Sequence, residues 1–300
     1  MPRQNEEAIQ DRYRGVLVAS AVGDALGATV EFMAPADIRS TFGVHREILG
    51  GGWLKLAPGE VTDDTQMAVC IARSVVQVGG FDPDDIASRF VEWFRSDPKD
   101  IGNTTQHALQ QLARGVPWSE AGQRTHEEMR PRDASNGSLM RIAPVPLLAP
   151  YDLDATLHDA EQSSRITHSN PLCVDACRAA ATVIASLVRD PDSAFIDAAL
   201  HAASVAEVQA VIERAPQSTP ERLRAGGYVL DTLEAALWAV SSSTSLEDAL
   251  VAAVNLGNDA DTTGAVAGAI AGAKWGMSSI PQRWLHVLQN RDELVSLADG

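Results

Sequence analysis

Apolar residues recur at spacings of three and four through most of the chain, set in alanine-rich stretches, and two-residue alternation is sustained nowhere. A helix produces the first pattern, because its 3.6-residue period turns one face repeatedly toward the core. The spacing predicts helices over 7–28, 64–78, 83–96, 103–114, 134–148, 153–164, 170–189, 191–202, 204–214, 220–240, 245–256, 262–275 and 281–289. The expected fold is all-α, a compact multi-helix arrangement. Breakers fall between the periodic stretches. Asp82-Pro83 and Asp190-Pro191 put proline where a first helical turn tolerates it, behind an acidic cap. Ser245-Leu-Glu-Asp248 approaches a capping box. Residues 41–62 carry Gly43, Gly50, Gly51, Gly52, Pro58 and Gly59. A loop of that length is unusual in a compact helical protein and marks a functional segment.

Composition narrows the picture. The chain has 300 residues, 45% of them hydrophobic, enough to bury a full core, and no repeat, linker or shift of composition divides it. Residues 1–300 are expected to form a single domain. The net charge of −16 argues against a nucleic-acid partner, since phosphate neutralisation needs clustered Lys and Arg. Cys70, Cys173 and Cys177 lie in apolar helical contexts without metal-finger or redox spacing, so they read as reduced core residues. The segment from Met1 to Asp11 is polar and unlike a signal peptide. No window is expected to reach the roughly 18 uninterrupted apolar residues of a membrane span. These features together imply a soluble, cytoplasmic protein, and a monomer is expected.

Two acidic clusters stand out against this background, Thr62-Asp63-Asp64-Thr65 and Asn258-Asp259-Ala-Asp261-Thr262-Thr263. Each runs into a small-residue or apolar stretch that reads as a helix, which puts hard oxygen ligands at two helix mouths. Asp63, Asp64, Asp259 and Asp261, with the hydroxyls of Thr62 and Thr262, suit Mg²⁺, Mn²⁺ or Ca²⁺ better than Zn²⁺. In an extended or turn segment, the spacing of Asp259 and Asp261 would put both on one side, so that one could bridge two ions. The competing interpretation is that these acids only cap helices. Four converging carboxylates without cations would repel and raise their own pKa values, which favours a shared metal site. Gly264, Gly268, Gly272 and Gly276 strip one face of the following helix of side-chain volume and let it pack tightly in a bundle.

Four blocks carry a resemblance to a known family: Gly23-Asp-Ala-Leu-Gly-Ala-Thr-Val-Glu-Phe, Gly59-Glu-Val-Thr-Asp-Asp-Thr-Gln-Met, Asp133-Ala-Ser-Asn-Gly-Ser-Leu-Met-Arg and Asn255-Leu-Gly-Asn-Asp-Ala-Asp-Thr-Thr-Gly-Ala. Thr167-His-Ser-Asn-Pro is a weaker fifth. In this order they resemble the ADP-ribosylglycohydrolase family. The resemblance implies a central cleft holding two Mg²⁺ or Mn²⁺ ions, and hydrolytic removal of ADP-ribose from a modified protein, with arginine the favoured acceptor. It implies that Thr62, Asp63, Asp64 and Asp261 hold one ion and Asp259, Asp261 and Thr262 the other, with Asp261 as the bridge. Asp63 or Asp64 would also accept a proton from water, and Glu31, on a movable loop over the site, would gate access or contact a metal. Asn136, Gly137 and Ser138 would contact ADP-ribose, as would His168, while Asp24 would brace the site through hydrogen bonds. Ser135 stands where the family commonly has glycine. Arg141, Trp53 and Trp275 receive no role.

Other classes stay open at this level. A hydrolase acting on a serine, nucleobase or small-molecule linkage has the same ligand set. A dimetal phosphohydrolase would use similar acids but leaves Asn136 to Ser138 unexplained. A noncatalytic ADP-ribose-binding protein would have no need of four mutually repelling carboxylates.

Overall fold

The structure is a computed structural model that describes residues 2–300. Its helices are α1 (Pro2–Gly27), α2 (Pro35–Phe42), α3 (Asp63–Val78), α4 (Pro83–Arg95), α5 (Asn103–Ala113), α6 (Trp118–Met129), α7 (Leu153–Arg165), α8 (Pro171–Arg189), α9 (Phe195–Ala202), α10 (Ala206–Arg214), α11 (Val229–Ser241), α12 (Leu246–Val254), α13 (Ala260–Trp275), α14 (Gln282–Val287) and α15 (Arg291–Asp299). Among the described residues there is no extended sheet, only the isolated bridges Gly51–Leu56 and Ser135–Tyr228. The all-α expectation holds.

Caps explain several boundaries. The Asp82 carboxylate accepts from the backbone N–H groups of Asp84 and Asp85 ahead of Pro83, and Ser245 Oγ accepts from Asp248 N–H. Asp190-Pro191 behaves differently from its expected role. Asp190 closes α8 and its side chain accepts from Asp192 N–H, so α9 begins only at Phe195.

The span 134–148 is not a helix but a run of turns ending in a short 3₁₀ segment at Val145–Leu147. Leu139, Met140, Ile142, Ala143 and Val145 are all buried, so the run is apolar on every side and imitates helical spacing. Pro144 and Pro146 lack the N–H a continuing helix needs. Likewise α11 begins at Val229, not 220, after Gly226-Gly227. Helices α2, α6 and α15 had no counterpart in the apolar pattern. All three bury few side chains: Ile38 in α2, Leu294 in α15, and Ala121 and Thr125 in α6.

Helix α8 is a long apolar helix, interrupted by Asp175 and Arg178. Pro171–Arg189 is long and apolar enough to cross a membrane, but 83% of the window is buried inside the protein, as in a core helix. The three cysteines are free and buried.

The centre of the molecule is an antiparallel pair, α1 against α13. A Cβ placed on Gly264 would lie 2.3 Å from the Gly23 carbonyl oxygen, one on Gly268 2.1 Å from that of Ala19, and one on Gly272 2.0 Å from that of Gly15. Such distances leave no room for any side chain. Gly264, Gly268 and Gly272 therefore pack as expected, and α1 answers them with Gly15, Ala19, Gly23 and Gly27 at the same four-residue step, while Gly276 caps the end of α13. At the end of this seam a Cβ on Gly27 would be 2.5 Å from Asp261 Cα, so the seam fixes how closely α1 approaches the second acidic cluster.

Overpacking a seam of backbone against backbone costs about 1–3 kcal/mol. Gly268→Ala is expected to lower the thermal unfolding midpoint by several degrees. Gly80→Ala, where an added Cβ meets nothing within 4 Å, should leave it unchanged. Equal midpoints for the two variants would show that the seam is loose.

Candidate active site

Both acidic clusters sit at helix N-termini. Thr62 is the cap residue of α3 with Asp63 and Asp64 in its first turn, and Asp259 is the cap residue of α13 with Asp261 in its first turn. The pair Asp259 and Asp261 thus straddles a helix start instead of lying in an extended segment. Neither Thr62 nor Asp259 makes a side-chain capping bond. The capping interpretation fails on that point.

At α3 the cap is supplied from another helix. Asp24 on α1 is fully buried, and its carboxylate accepts from Thr62 N–H at 3.1 Å, Thr65 N–H at 3.1 Å, Thr62 Oγ1 at 3.0 Å and Thr65 Oγ1 at 2.5 Å. This gives Asp24 the bracing position expected of it. The Thr62 hydroxyl also lies 3.1 Å from Asp64 Oδ2. With its one hydrogen directed to Asp24, an oxygen lone pair remains for another partner.

Asp63, Asp64, Asp259, Asp261 and Thr262 line one cavity of about 410 Å³ together with Glu31, Asn136 and Gly137. The two clusters, almost two hundred residues apart in sequence, do meet. Asp64 Oδ1 and Asp261 Oδ1 are buried without a hydrogen-bond partner. Among the described residues no Lys or Arg forms an ion pair with any acid of the cavity, and the ion pairs lie elsewhere. Two buried orphan oxygens in an all-oxygen set fit a hard divalent cation.

The loop ahead of α5 adds an acid that the sequence reading missed. Asp100 lines the same cavity, and carboxylate oxygens of Glu31, Asp100 and Asp261 lie within 4.8 Å of one another. Its signal was the pattern of the other clusters, an acid just before a helix, here Asp100-Ile-Gly-Asn103. Asn103, Thr104 and Thr105 of the first turn of α5 also line the cavity.

Like charges and burial govern the protonation of these groups. Desolvation, then repulsion from neighbouring acids, pushes Asp63, Asp64 and Asp261 well above the usual carboxylate range. Burial raises Glu31 to about 8 against the Trp53 hydrogen bond that opposes it, and raises Asp24 to about 6.

The loop from Asp133 to Arg141 is held from behind. Asn136 N–H donates to the Gly227 carbonyl at 3.1 Å, and Asn136 Nδ2 donates to Thr232 Oγ1 at 2.9 Å and Asp259 Oδ2 at 2.8 Å. Both amide hydrogens are used, which leaves Asn136 Oδ1 as an acceptor. Arg141, fully buried over the Phe90 ring, donates to the Gly137 and Ser163 carbonyls and to Thr167 Oγ1.

Ser138, within this loop, and His168, behind it, were expected to touch ligand, but both are buried outside the cavity lining. Ser138 is fully buried and accepts from Ser164 Oγ at 2.9 Å. His168 Nε2 meets Ser135 Oγ at 2.9 Å and Nδ1 meets Thr167 Oγ1 at 2.7 Å, and burial pulls its pKa down to about 3. A neutral histidine with both nitrogens engaged is placed to support the loop. A Cβ on Gly137 would come within 2.9 Å of that imidazole, so only glycine fits there.

A carboxylate raised on folding contributes stability below its unfolded pKa and loses that contribution as pH rises through the folded one. For Glu31 that window runs from 4.5 to about 8. Cation binding requires the ionised form and stabilises the fold. The gain in thermal midpoint on adding Mg²⁺ or Mn²⁺ to chelator-treated protein is therefore expected to grow as pH rises across this window. A midpoint indifferent to cation at every pH would rule out the metal site.

Comparison with known proteins agrees with this geometry. The profile of the ADP-ribosylglycohydrolase family matches residues 5–300. The chain is 35% identical to the ADP-ribosyl-[dinitrogen reductase] glycohydrolase of Rhodospirillum rubrum over 95% of this chain and 93% of that one. It is 35% identical to the ADP-ribosylarginine hydrolase Tri1 of Serratia proteamaculans over 96% of this chain and 78% of that one. A solved structure titled ADP-ribosylglycohydrolase-related protein complex superposes with a TM-score of 0.83 at 37% identity, covering 97% of each chain. With the acidic blocks meeting in one cavity and the match running nearly end to end, the chain belongs to the ADP-ribosylglycohydrolase family.

Proposed function

We propose that this protein is a metal-dependent hydrolase that releases ADP-ribose from a modified protein, with ADP-ribosyl-arginine as its substrate. The observation that carries the proposal is the convergence of Glu31, Asp63, Asp64, Asp100, Asp259 and Asp261 on one cavity that also holds Asn136 and Gly137. The relatives named for arginine and dinitrogen reductase substrates support the choice of acceptor.

In this reading Thr62, Asp63, Asp64 and Asp261 would hold one Mg²⁺ or Mn²⁺ and Asp259, Asp261 and Thr262 the other, in the cavity that Glu31 and Asp100 also line. The ions would supply positive charge that orients the ribose hydroxyls and acidifies the attacking water. Cleavage of the bond from ribose C1 to the acceptor builds positive charge on the sugar, which the surrounding carboxylates complement. Asp63 or Asp64 accepts the water proton.

The rest of the cavity binds the ADP portion. Asn136 Oδ1, freed by the two bonds its amide makes, accepts from a ribose hydroxyl. The first turn of α5 has no side-chain cap, so its backbone N–H groups are available to the pyrophosphate. Thr104 and Ser135, whose hydroxyls are 3.1 Å apart, join that turn to the Asn136 loop. Arg141 and His168 act through the loop they hold. The single continuous core supports a one-domain organisation over 1–300, and the free buried cysteines support a reducing cytoplasmic setting.

The test is ADP-ribose release from arginine-, serine- and nucleobase-linked substrates with Mg²⁺ or Mn²⁺, after chelation, and in two variants. Release from the arginine linkage is expected, abolished by chelation and reduced at least about 100-fold by Asp63→Ala or Asp261→Ala. Cleavage of a different linkage only would overturn the substrate, and release of inorganic phosphate would overturn the reaction. Asp24→Asn weakens the acceptor that aligns Thr62 and Thr65, so it should raise the cation concentration for half-maximal activity by about 10–100-fold. An unchanged cation requirement would remove Asp24 from the support of the site.

A further inference from the structure

The cavity lining includes two aromatic residues that belong neither to the acidic cluster nor to the residues assigned to ADP. These are Phe32 and Trp53, with their ring centroids 5.4 Å apart at 47°, and they are 66% and 50% exposed. Large apolar rings left that open at the mouth of a polar site are not there to fill a core.

The backbone goes to some trouble to put them there. Phe32 has φ 61, and Asn258, which faces it, has φ 55. A bulky aromatic in the left-handed region is a strained arrangement that persists only when its surroundings impose it. Here Phe32 N–H donates to the Asn258 carbonyl at 2.6 Å and Asn258 N–H to the Met33 carbonyl at 2.8 Å, a reciprocal pair that ties the turn to the second acidic cluster. Trp53 comes from the glycine-rich loop. Gly51 and Leu56 exchange backbone hydrogen bonds at 2.8 and 2.9 Å, and Gly52, at φ 63, packs so closely that a Cβ would lie 2.3 Å from the Ala28 carbonyl oxygen. The indole is thereby set beside Glu31, and its Nε1–H donates to Glu31 Oε2 at 2.6 Å. The other carboxylate oxygen of Glu31 is left for the acidic cluster.

An acceptor attached to ribose C1 must leave the reacting centre on a side not filled by ADP. Asn136, Gly137 and the first turn of α5 belong to the ADP portion, while Phe32 and Trp53 stand beside Glu31. We propose that Phe32 and Trp53 form the acceptor platform of this enzyme, taking the planar guanidinium of the ADP-ribosylated arginine against their rings while the Trp53 N–H positions Glu31. The inference rests on the arginine reading above and adds the residues that select that acceptor. Guanidinium is the cation best suited to the role, because it is flat, delocalised and weakly hydrated, and stacks on aromatic faces. A serine hydroxyl linkage offers no such group.

Steady-state kinetics on an arginine-ADP-ribosylated peptide, with full-length protein and Mg²⁺, separate the two roles. Phe32→Leu removes a ring and should raise KM about 3- to 30-fold, the range expected of a cation–π contact. Inhibition by free ADP-ribose, which has no guanidinium, should hold. Trp53→Phe keeps a ring but loses the N–H, so KM should change little while kcat falls about tenfold or more. A Phe32→Leu variant whose KM and ADP-ribose inhibition constant rise together, or in which neither moves, overturns the platform. Equal effects of Trp53→Phe on KM and kcat overturn the positioning of Glu31. Wild-type protein that cleaves another linkage but not the arginine one defeats the arginine reading itself, a result read before either variant is made.

Discussion

The antiparallel contact of α1 with α13 is the constraint on which the site depends. Facing glycines bring the two backbones together with no side chain between them. That closeness sets Asp24, near the end of α1, against the mouth of α3, and brings Gly27 onto Asp261. One added methyl group in the seam would move the two acidic clusters relative to each other. Cation ligands must sit within a few tenths of an ångström of their positions, and a backbone seam is a stiffer spacer than interdigitated side chains.

Around that seam the protein gathers charge that its own interior opposes. Buried carboxylates repel, lose hydration and hold their protons, and no protein cation pairs with them. Such an arrangement persists because surrounding groups fix each acid independently: Asp24 aligns Thr62 and Thr65, Asn136 bridges Asp259 and Thr232, and Trp53 holds Glu31. A divalent cation converts the same repulsion into attraction. The uncompensated acids are thus the physical link between fold and proposed chemistry.

The loop from Asp133 to Arg141 shows a different economy. Its cavity-facing part, Asn136 and Gly137, is small, while the large groups Arg141 and His168 lie behind and fix its shape. Ser138 was expected as a contact because it shares a run of small and polar residues with Asn136, and His168 because Thr167-His-Ser-Asn-Pro resembles a block of the family. Whether a polar side chain faces a cavity or braces the wall depends on which neighbours take its hydrogen bonds, and those neighbours, Thr167 and Ser164, are set by how α7 and α8 pack.

The sequence by itself determined the helical class, most of the long helices, the glycine column of α13 and the identity of both acidic clusters. These are written in local spacing and residue type, which a helix translates directly into a face or a mouth. Helices α2, α6 and α15 were not legible because they bury few side chains, and 134–148 misled because burial on all sides erases the difference between a helix and a chain of turns. The role of Asp24 as a cap in trans, the arrival of Asp100 beside Glu31 and Asp261, and the placement of Phe32 and Trp53 at the mouth were decided only by the tertiary structure. Each joins residues from separate elements, and no spacing along the chain encodes a distance that only helix packing creates.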